Sequence, residues 1–531
     1  MQPAEERDTR WDRLGVGPWD VLIIGGGIVG VGLLREAARV GLRAALVEAR
    51  DFASGTSSRS SKMVHGGLRY LSTGQIRLTM RSVHERQRLL HEGRGLIDPL
   101  EYMLVSYKGD RPPAWIFGVG LMIYDTLAMR WQHERESVDA VEQACPELAA
   151  EQLVGGFRFF DAQTDDARMV LRVLQEGERA GGLALNYARV EGLLRTRAGR
   201  VCGAEVVDGG TGRCAEVQAG VVINATGAWA DELRAQVGRA PRLRRLRGSH
   251  LIFARERLPV NKVISFLHPV DRRPLFAFPW EGVTLVGTTD VDHALPMETD
   301  PRIGAREVDY LMVAVDRFFG CLGLQPSDAR STLAGIRSVL DTGKANPSKE
   351  SRDEVLWDEE GLVTITGGKL TMFRRMAQTT LRFVRAHLPS FTMPDRHARA
   401  LDALDGEAFA ALAAQHGLDP ALCVRLLGRY GHHAADLLRG AGPDDLQPIG
   451  DSPTLWAELR WAAGADHVVH LEDLLMRRTR LGLLLPDGAM GELARIRAVC
   501  QAELGWDDAR WQSEVDAYRA LWKRAYAPPA A

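Results

Sequence analysis

The hydrophobic pattern of the chain is organised around the stretch VLIIGGGIVGVG, residues 21–32. Its four apolar residues, Val21 to Ile24, predict a short parallel strand that is buried on both faces. Residues 31–39 then show the 3.6-residue period of a helix, and a second apolar run at residues 44–47 ends in Glu48. The pattern therefore predicts a strand, a glycine turn, a helix and a second strand, in that order.

The glycine turn has the chemistry of a phosphate site. Gly25, Gly27 and Gly30 stand at G-x-G-x-x-G spacing, which permits a tight turn and a close approach of a pyrophosphate to backbone N–H groups. The helix that follows presents the positive end of its dipole to the phosphates. Glu48, at the end of the second strand, is placed to accept hydrogen bonds from a ribose. Because all these parts arrive in order, the pattern favours a dinucleotide site over a structural turn.

Two later segments repeat the motif of a buried strand followed by glycine. Residues 220–229 read GVVINATGAW, and residues 363–374 read VTITGGKLTMFR. We expect the first of these strands to lie beside the strand at residues 21–24 and to bring Thr226 and Gly227 to the same ligand. Because ligands bind at the carboxyl ends of such strands, the nucleotide-binding domain is predicted to be assembled from discontinuous parts of the chain.

A loop rich in serine and glycine, ASGTSSRSSKMVHGGLRYL, occupies residues 53–71. Its hydroxyls and ionisable side chains favour a loop against a polar ligand over a flexible linker. The candidate cofactor contacts in this loop are Ser57, Ser58, Ser61, Lys62, His65, Gly66 and Gly67.

Candidate substrate groups are cations and histidines in apolar or glycine-rich surroundings. Arg69, Arg337 and Lys369 could bind an anionic group through charge-assisted hydrogen bonds. His65 and His250 are candidate bases near neutral pH. Taken singly, each of these residues is more often structural. The arginines between residues 242 and 247 are predicted to form a solvated face.

Composition excludes several classes of function. The 531 residues carry a net charge of −2, which gives no basic footprint for nucleic acid. The six cysteines are scattered without a C-x-x-C pair, so we expect no metal site and no redox dithiol, but reduced thiols in the core.

The chain shows no pattern of export or membrane insertion. The charged N-terminal residues lack the apolar region of a signal peptide, which predicts a cytoplasmic protein. The longest uncharged run, Pro112 to Tyr124, is shorter than the roughly 20 residues that a membrane helix needs. We expect a buried or interface helix there, and any membrane contact to be peripheral, at the inner face of the membrane.

Six runs together resemble FAD-dependent glycerol-3-phosphate dehydrogenases of the aerobic, respiratory type: SSKMVHGGLRYL, INATGAW, RGSHLIF, LVGTTDVD, AGIRSVL and TGGKLTMFR. The run EDLLMRRTRLGLLLPDG at residues 472–488 extends the resemblance, which covers roughly residues 18–525. The family resemblance implies FAD as cofactor, glycerol 3-phosphate as substrate and a membrane quinone as electron acceptor. It leaves a homodimer open.

The resemblance also implies residue roles. Arg69, Arg337 and Lys369 match the substrate-site cations of the family, and His250, Tyr70 and Thr288 match its other pocket residues. We assign His250 as the base and Arg337 to the carbinol, with Arg69 and Lys369 near the phosphate. The expected contacts of the flavin at the third glycine turn are Gly368, Lys369, Leu370 and Thr371. The sequence departs from the family at Ser338 and Ala228, where prolines are common.

The fold class implied is α/β, with a Rossmann-like FAD-binding domain of the glycine and D-amino-acid oxidase type. The expected domains are an FAD-binding domain (residues 18–75, 155–247 and 331–388), an α+β substrate or cap domain (76–154 and 248–330) and a helical C-terminal domain (395–531).

Three rival functions stay open at this point. An amino-acid or 2-hydroxy-acid oxidase would bind a carboxylate with one arginine, whereas three cations favour phosphate. A glycerol-3-phosphate oxidase would share nearly all the motifs and pass electrons to oxygen. A non-catalytic flavoprotein would have no need of the four ionisable residues Arg69, His250, Arg337 and Lys369.

Overall fold

The computed structural model describes residues 3–67, 76–343, 354–395 and 397–529. Its helices are α1 Pro3–Gly15, α2 Ile28–Arg39, α3 Ile76–Glu92, α4 Ala114–Ala128, α5 Val138–Ala144, α6 Asp166–Arg179, α7 Ala230–Gln236, α8 Ala305–Phe319, α9 Phe373–Val384, α10 Gly406–Gln415, α11 Pro420–Tyr430, α12 Ala434–Arg439, α13 Trp456–Ala465, α14 Leu481–Leu484, α15 Leu493–Leu504 and α16 Asp508–Ala525. Its strands are β1 Trp19–Ile24, β2 Ala44–Val47, β3 Met63–Val64, β4 Ile97–Tyr107, β5 Glu134–Glu136, β6 Leu153–Thr164, β7 Leu183–Leu185, β8 Ala188–Arg195, β9 Val201–Asp208, β10 Cys214–Asn224, β11 Leu243–Ala254, β12 Val263–Leu267, β13 Pro274–Trp280, β14 Val283–Gly287, β15 Val291–Asp292, β16 Ala329–Leu340, β17 Val355–Glu359 and β18 Leu362–Thr366.

The first sheet carries the predicted nucleotide motif. Its strand order is β17-β18-β10-β1-β2-β7, and β9 and β8 extend it from β10. Strand β1 is parallel to β10 and to β2, with Val21 opposite Val221 on one side and Ala44 on the other. Strand β18 is parallel to β10. The predicted arrangement of three parallel strands that each end in glycine is therefore confirmed.

Helices α2, α6 and α9 cover one face of this sheet and form its core. Residues such as Leu33, Val173 and Met376 are fully buried there. A Cβ at Gly32 would lie 2.9 Å from the ring of Phe373, so glycine lets α2 and α9 approach closely.

The second sheet covers the carboxyl ends of the first. Its strand order is β15-β11-β14-β13-β12-β4-β6-β3, with β16 on β11 and β5 on β6. Helix α8 packs on one side of it, with Leu311, Val315 and Phe318 in the core. C-terminal residues such as Trp456 and Leu483 pack on the other side.

The sheets divide the chain at points other than the predicted domain boundaries. Strands β6 and β16 pair within the second sheet, although boundaries at residues 155 and 331 assign most of each strand to the FAD-binding domain. The short strand β3 also pairs with β6. These strands carry the chain from one sheet to the other, and residues of β3 and β16 line the smaller of the two cavities described below.

Two expectations about burial are corrected by the structure, and a third is narrowed. Helix α4 contains most of the uncharged run Pro112 to Tyr124, and many of its side chains are exposed, so that of the two expected alternatives the fully buried helix is excluded. All six cysteines are free thiols, but Cys214 and Cys321 are exposed and only Cys145, Cys423 and Cys500 are buried. Among the arginines near residue 245, Arg247 is not simply solvated but ion-paired with the buried carboxylate of Glu307. In the described part of the chain, no helix combines the length and apolarity needed to cross a bilayer.

Candidate active site

The turn from β1 to α2 leaves space that only glycine permits. Gly25 has φ of +116°, and a Cβ there would lie 2.6 Å from the carbonyl oxygen of Ala225. A Cβ at Gly30 would overlap the carbonyl oxygen of Gly25, at 1.8 Å. Gly27 precedes α2 without a side-chain cap, and a Cβ there would lie 3.1 Å from Ser57 Oγ. Ile28 N donates a hydrogen bond to Ser57 Oγ, and the other amides of the first turn of α2 have no side-chain cap from Gly27, so the helix N-terminus fits the pyrophosphate of FAD.

Glu48 stands beside this turn at the end of β2. Its Oε2 accepts a hydrogen bond from Gly26 N at 2.6 Å, and its Oε1 accepts one from Arg50 N at 2.8 Å. Burial raises the pKa of this carboxyl. Glu48 lines an open cavity that runs from the β1–α2 turn to the third glycine turn. The predicted residues that line it are Gly25, Gly27, Glu48, Ser57, Thr226, Gly227, Gly368, Lys369 and Leu370.

The third glycine turn lies between this cavity and a second one that is joined to it. Gly367 and Gly368 follow β18 with φ of +77° and +74°. Lys369 comes next, and its Nζ donates a hydrogen bond to Ser82 Oγ on α3 at 2.9 Å. Lys369, Arg337 and Ser338 border both cavities. The smaller cavity opens from the larger one under the second sheet. It is lined by the predicted residues Ser61, His65, His250, Thr288, Arg337, Gly368, Lys369, Leu370 and Thr371.

His250 lies on β11 with its side chain in the smaller cavity. The imidazole is buried, and its Nε2 lies 3.0 Å from Ser61 Oγ. Burial, together with the positive charges of Lys62 and Arg337, lowers the pKa of His250 from 6.5 to about 3. His250 is therefore a neutral imidazole at physiological pH, and these surroundings make it a weaker base than a free histidine.

Arg337 lies on β16 and is held by a carboxylate that the sequence reasoning did not single out. Its Nη2 lies 3.0 Å from Asp290 Oδ1 and donates a hydrogen bond to the carbonyl oxygen of Thr289 at 3.1 Å. The other oxygen of Asp290 lies 3.1 Å from Nη2 of Arg273. The Asp290 side chain has no solvent exposure, so it fixes the guanidinium of Arg337 at the cavity wall. Its position directly after the strand and the threonine pair of VTLVGTTD is the signal that could have found it.

A second carboxylate supports the same wall. Glu307, at the start of α8, accepts hydrogen bonds from Ser249 Oγ at 2.8 Å and Thr289 Oγ1 at 2.6 Å. It therefore links the strand that carries His250 to the turn that carries Thr288 and Asp290.

Lys62 and Ser58 do not line either cavity, contrary to their predicted contact with the cofactor. Lys62 is fully buried, and its Nζ donates hydrogen bonds to Asp166 Oδ1 at 2.8 Å and to the Ser58 carbonyl oxygen at 2.7 Å. Asp166 also accepts hydrogen bonds from the backbone N and Oγ of Ser60. Arg480, from the C-terminal region, donates to both Asp166 and the Ser58 carbonyl oxygen. These groups hold the loop at residues 56–62 in place.

Three predicted glycines also lie outside the cavity walls, and two predicted residues are not described. Gly30 packs against Gly25, as above, and a Cβ at Gly66 would meet Tyr124 Oη at 2.3 Å. Gly67 has φ of +88°. Arg69 and Tyr70 lie outside the described residues, so their assignment stays a prediction.

The fold and the two joined cavities define a class of protein. A sheet with a parallel centre bears the glycine turns, and a second, mainly antiparallel sheet lies over the cavity at their strand ends. The family model for FAD-dependent oxidoreductases matches residues 20–379, and the model for the C-terminal domain of alpha-glycerophosphate oxidase matches residues 400–511.

Relatives and solved structures agree with these matches. Glycerol-3-phosphate dehydrogenase 2 of Mycobacterium tuberculosis H37Rv is 35% identical over 540 residues, covering 98% of this chain and 90% of its own. The aerobic glycerol-3-phosphate dehydrogenase of Bacillus subtilis is 35% identical over 389 residues, covering 72% of this chain and 70% of its own. The FAD-bound glycerol-3-phosphate dehydrogenase of Bacillus halodurans matches with a TM-score of 0.79 and 25% identity, over 98% of each chain. The chain therefore belongs to the FAD-dependent glycerol-3-phosphate dehydrogenase family, and FAD is its cofactor.

Proposed function

We propose that this chain oxidises sn-glycerol 3-phosphate to dihydroxyacetone phosphate and passes the electrons to a membrane quinone at the inner face of the membrane. The observation that carries the proposal is the meeting of a neutral, buried His250 with the cations Arg337 and Lys369 in one cavity that joins the FAD cavity. The relatives that cover most of the chain carry the name of this activity.

The oxidation of a secondary carbinol releases a hydride from carbon and a proton from oxygen. FAD, when bound, supplies the acceptor of the hydride. We assign the proton to His250, which lines the cavity; the charge of a bound phosphate ester would raise the pKa of the imidazole toward the neutral range in which a general base is effective. Ser61, 3.0 Å from Nε2, fixes the orientation of the ring.

The cations at the wall fit a phosphorylated substrate. Arg337 is held by Asp290, so its fork is oriented before the substrate arrives. Lys369 borders both cavities and is a point charge on a flexible stem. We assign Arg337 to the carbinol end and Lys369, with Arg69, to the phosphate. A phosphate dianion is the ligand that needs more than one such cation.

The acceptor is the finer part of the proposal. The sequence has one G-x-G-x-x-G with its strand, helix and acidic residue, and that turn serves FAD. The sequence therefore offers no second binding site of this kind for a nicotinamide nucleotide, and we propose a lipid-soluble quinone as the acceptor. The rival acceptor is oxygen, because the family model that matches the C-terminal region is described by the name of an oxidase.

The experiment is steady-state turnover of glycerol 3-phosphate with one acceptor at a time: a soluble quinone analogue, oxygen or NAD. We expect fast turnover with the quinone analogue and slow turnover with the other two. Equally fast turnover with oxygen alone would make the chain an oxidase, and turnover linked to NAD would contradict the proposal.

A further inference from the structure

Helix α4 presents an apolar face to solvent. Its outward side chains are Trp115, Ile116, Val119, Met122 and Ile123, each at least 40% exposed. These five residues, which we call the α4 face, follow the spacing of one stripe of a helix. Beyond the helix end, Met129 and Trp131 are 84% and 67% exposed. The described structure thus concentrates large apolar side chains on one helix and the turn after it.

The opposite side of α4 is apolar as well. Leu121 and Tyr124 are buried, and Gly118 lets the helix approach Phe157 on β6. A helix that is apolar all round is normally covered on every side. Helix α8, of the same length, buries Leu311 and Val315 but turns charged residues outward, among them Arg306, Asp309 and Asp316. Helix α4 therefore differs from α8 in that its outward face consists mainly of large apolar side chains.

The charged residues next to α4 differ in exposure according to their sign: the arginines are exposed, and the carboxylates are buried or ion-paired. Arg111 precedes the helix and Arg130 follows it, and both are exposed. The one charged residue within α4, Asp125, is buried and accepts hydrogen bonds from the Gln132 and His133 amides at 2.7 and 2.9 Å. Nearby carboxylates are ion-paired: Asp110 with Arg272, and Glu134 with Arg158. The face therefore combines apolar side chains with arginines at both ends, and with tryptophan near each end.

We propose that the α4 face docks in the interfacial layer of an anionic lipid bilayer, with the helix lying parallel to the membrane. Apolar side chains then enter the acyl region, the indoles of Trp115 and Trp131 lie at the headgroup level, and Arg111 and Arg130 pair with lipid phosphates. A single convex helix with arginines at both ends is complementary to a negatively charged surface, whereas two identical copies would bring like charges together. The functional consequence rests on the proposed function, because only a lipid-soluble acceptor requires this contact.

The position of α4 connects the membrane surface to the active site. Tyr124, on the buried side, donates a hydrogen bond to Asp161 Oδ1 at 3.0 Å, and the same oxygen accepts one from Gly66 N at 3.1 Å. Gly66 adjoins His65, which lines the smaller cavity. The α4 face is therefore on the outside of the same helix that supports the cavity loop, and a quinone in the bilayer would arrive next to the site.

The test measures binding of the FAD-loaded protein to vesicles of equal parts phosphatidylglycerol and phosphatidylcholine by flotation. The double variant Val119→Glu/Ile123→Glu places charge on the α4 face, and we expect its lipid concentration for half-maximal binding to rise by about tenfold or more. The matched control is Val313→Glu on α8, where an exposed valine lies outside the face, and we expect it to bind like the unaltered protein. Arg111→Glu/Arg130→Glu should weaken binding to these vesicles and leave binding to pure phosphatidylcholine unchanged.

Turnover with glycerol 3-phosphate and a soluble quinone analogue serves as the folding control. We expect the α4 variants to keep the turnover of the unaltered protein, while turnover with a long-chain quinone in vesicles falls with lipid binding. If the unaltered protein binds vesicles but does not oxidise glycerol 3-phosphate, the proposed function fails and the docking surface stands. The docking proposal is overturned if the unaltered protein does not bind the vesicles, or if the α4 variants bind them as well as the unaltered protein does. It is also overturned if the only effect of the variants is to convert a stable dimer to a monomer.

Discussion

Ser61 Oγ lies 3.0 Å from Nε2 of His250, and this contact joins two separate parts of the fold. Ser61 belongs to the loop that follows the nucleotide turn, where Ser57 Oγ accepts a hydrogen bond from Ile28 N at 3.0 Å. His250 belongs to the second sheet. The same loop therefore contacts both the phosphate end of the FAD cavity and the proposed base. These contacts fix the position of one cavity relative to the other.

His250→Asn should slow the reduction of the flavin by glycerol 3-phosphate, because it removes the proposed base while keeping a polar side chain of similar bulk. Loss of a general base costs about 10²–10⁴-fold in rate. Ser61→Ala should cost less, about tenfold, since it removes one orienting hydrogen bond. Anaerobic stopped-flow absorbance of the flavin measures both. A His250→Asn protein that is reduced at the original rate would remove His250 from the chemistry.

His250 should make the free energy of unfolding depend on pH. Its pKa is lowered from 6.5 to about 3 by burial and by Lys62 and Arg337, so between these values the unfolded chain binds a proton that the folded chain does not. Its contribution is favourable above 6.5 and is lost progressively as the pH falls toward 3. Denaturant unfolding gives the free energy of unfolding of the protein and of His250→Asn at each pH in this window. The difference between the two free energies should shrink as the pH falls. A gap between them that is constant with pH would show that His250 titrates normally in the folded state.

Arg337→Ala should lower kcat/KM for glycerol 3-phosphate by about 10- to 100-fold, which corresponds to a charge-assisted contact of about 1.5–3 kcal/mol. Asp290→Asn should act in the same direction with a smaller effect, because Arg337 loses the partner that orients it. Arg273→Ala is the control, since it touches the other oxygen of Asp290 and is not among the residues lining the cavity. FAD content should not change in any of them. Unaltered kinetics in Arg337→Ala would contradict its assignment.

Gly27→Val should remove FAD from the protein. The Cβ would lie 3.1 Å from Ser57 Oγ, and the added methyl groups would fill the space where a pyrophosphate approaches the N-terminus of α2. The flavin absorbance per folded protein measures the loss. A folded Gly27→Val protein with one FAD per chain would place the pyrophosphate elsewhere.

Arg480→Met should destabilise the protein by up to about 3–5 kcal/mol, because it removes one of the two cations that, in the described part of the chain, each of two buried carboxylates has: Asp165 keeps only Arg429, and Asp166 keeps only Lys62. Arg480 donates hydrogen bonds to both Asp165 and Asp166, which are fully buried. Arg497→Met is the control: its ion pair with Asp508 is exposed, and the loss should be at most about 1 kcal/mol. Denaturant unfolding monitored by flavin fluorescence compares the two. Equal stability of both variants would show that the buried network contributes little.

The parts of this fold that the sequence predicts are those with local causes. The apolar run at Val21 to Ile24, the positive φ of Gly25 and the contact between Gly30 and Gly25 all act within a dozen residues, and strands, turn and helix appear where the pattern indicates. Most of the predicted cavity residues also follow strand ends, where parallel topology concentrates them.

The parts that escaped prediction depend on distant partners. Lys62 looks like a phosphate ligand in a serine-rich loop, but its ammonium is used by Asp166, which Arg480 reaches from 314 residues further along the chain. For helix α4 the sequence left two alternatives, a buried helix and an interface helix. Its hydrophobic pattern shows that its sides are apolar, but it cannot show which of them the rest of the protein covers.

The most direct test of the account is the anaerobic titration of the purified yellow protein with sn-glycerol 3-phosphate. We expect the flavin absorbance to bleach completely and dihydroxyacetone phosphate to form in equal amount, whereas glycerol and amino acids leave the flavin oxidised. A flavin that stays oxidised with glycerol 3-phosphate, in protein that is folded and loaded with FAD, would contradict the account.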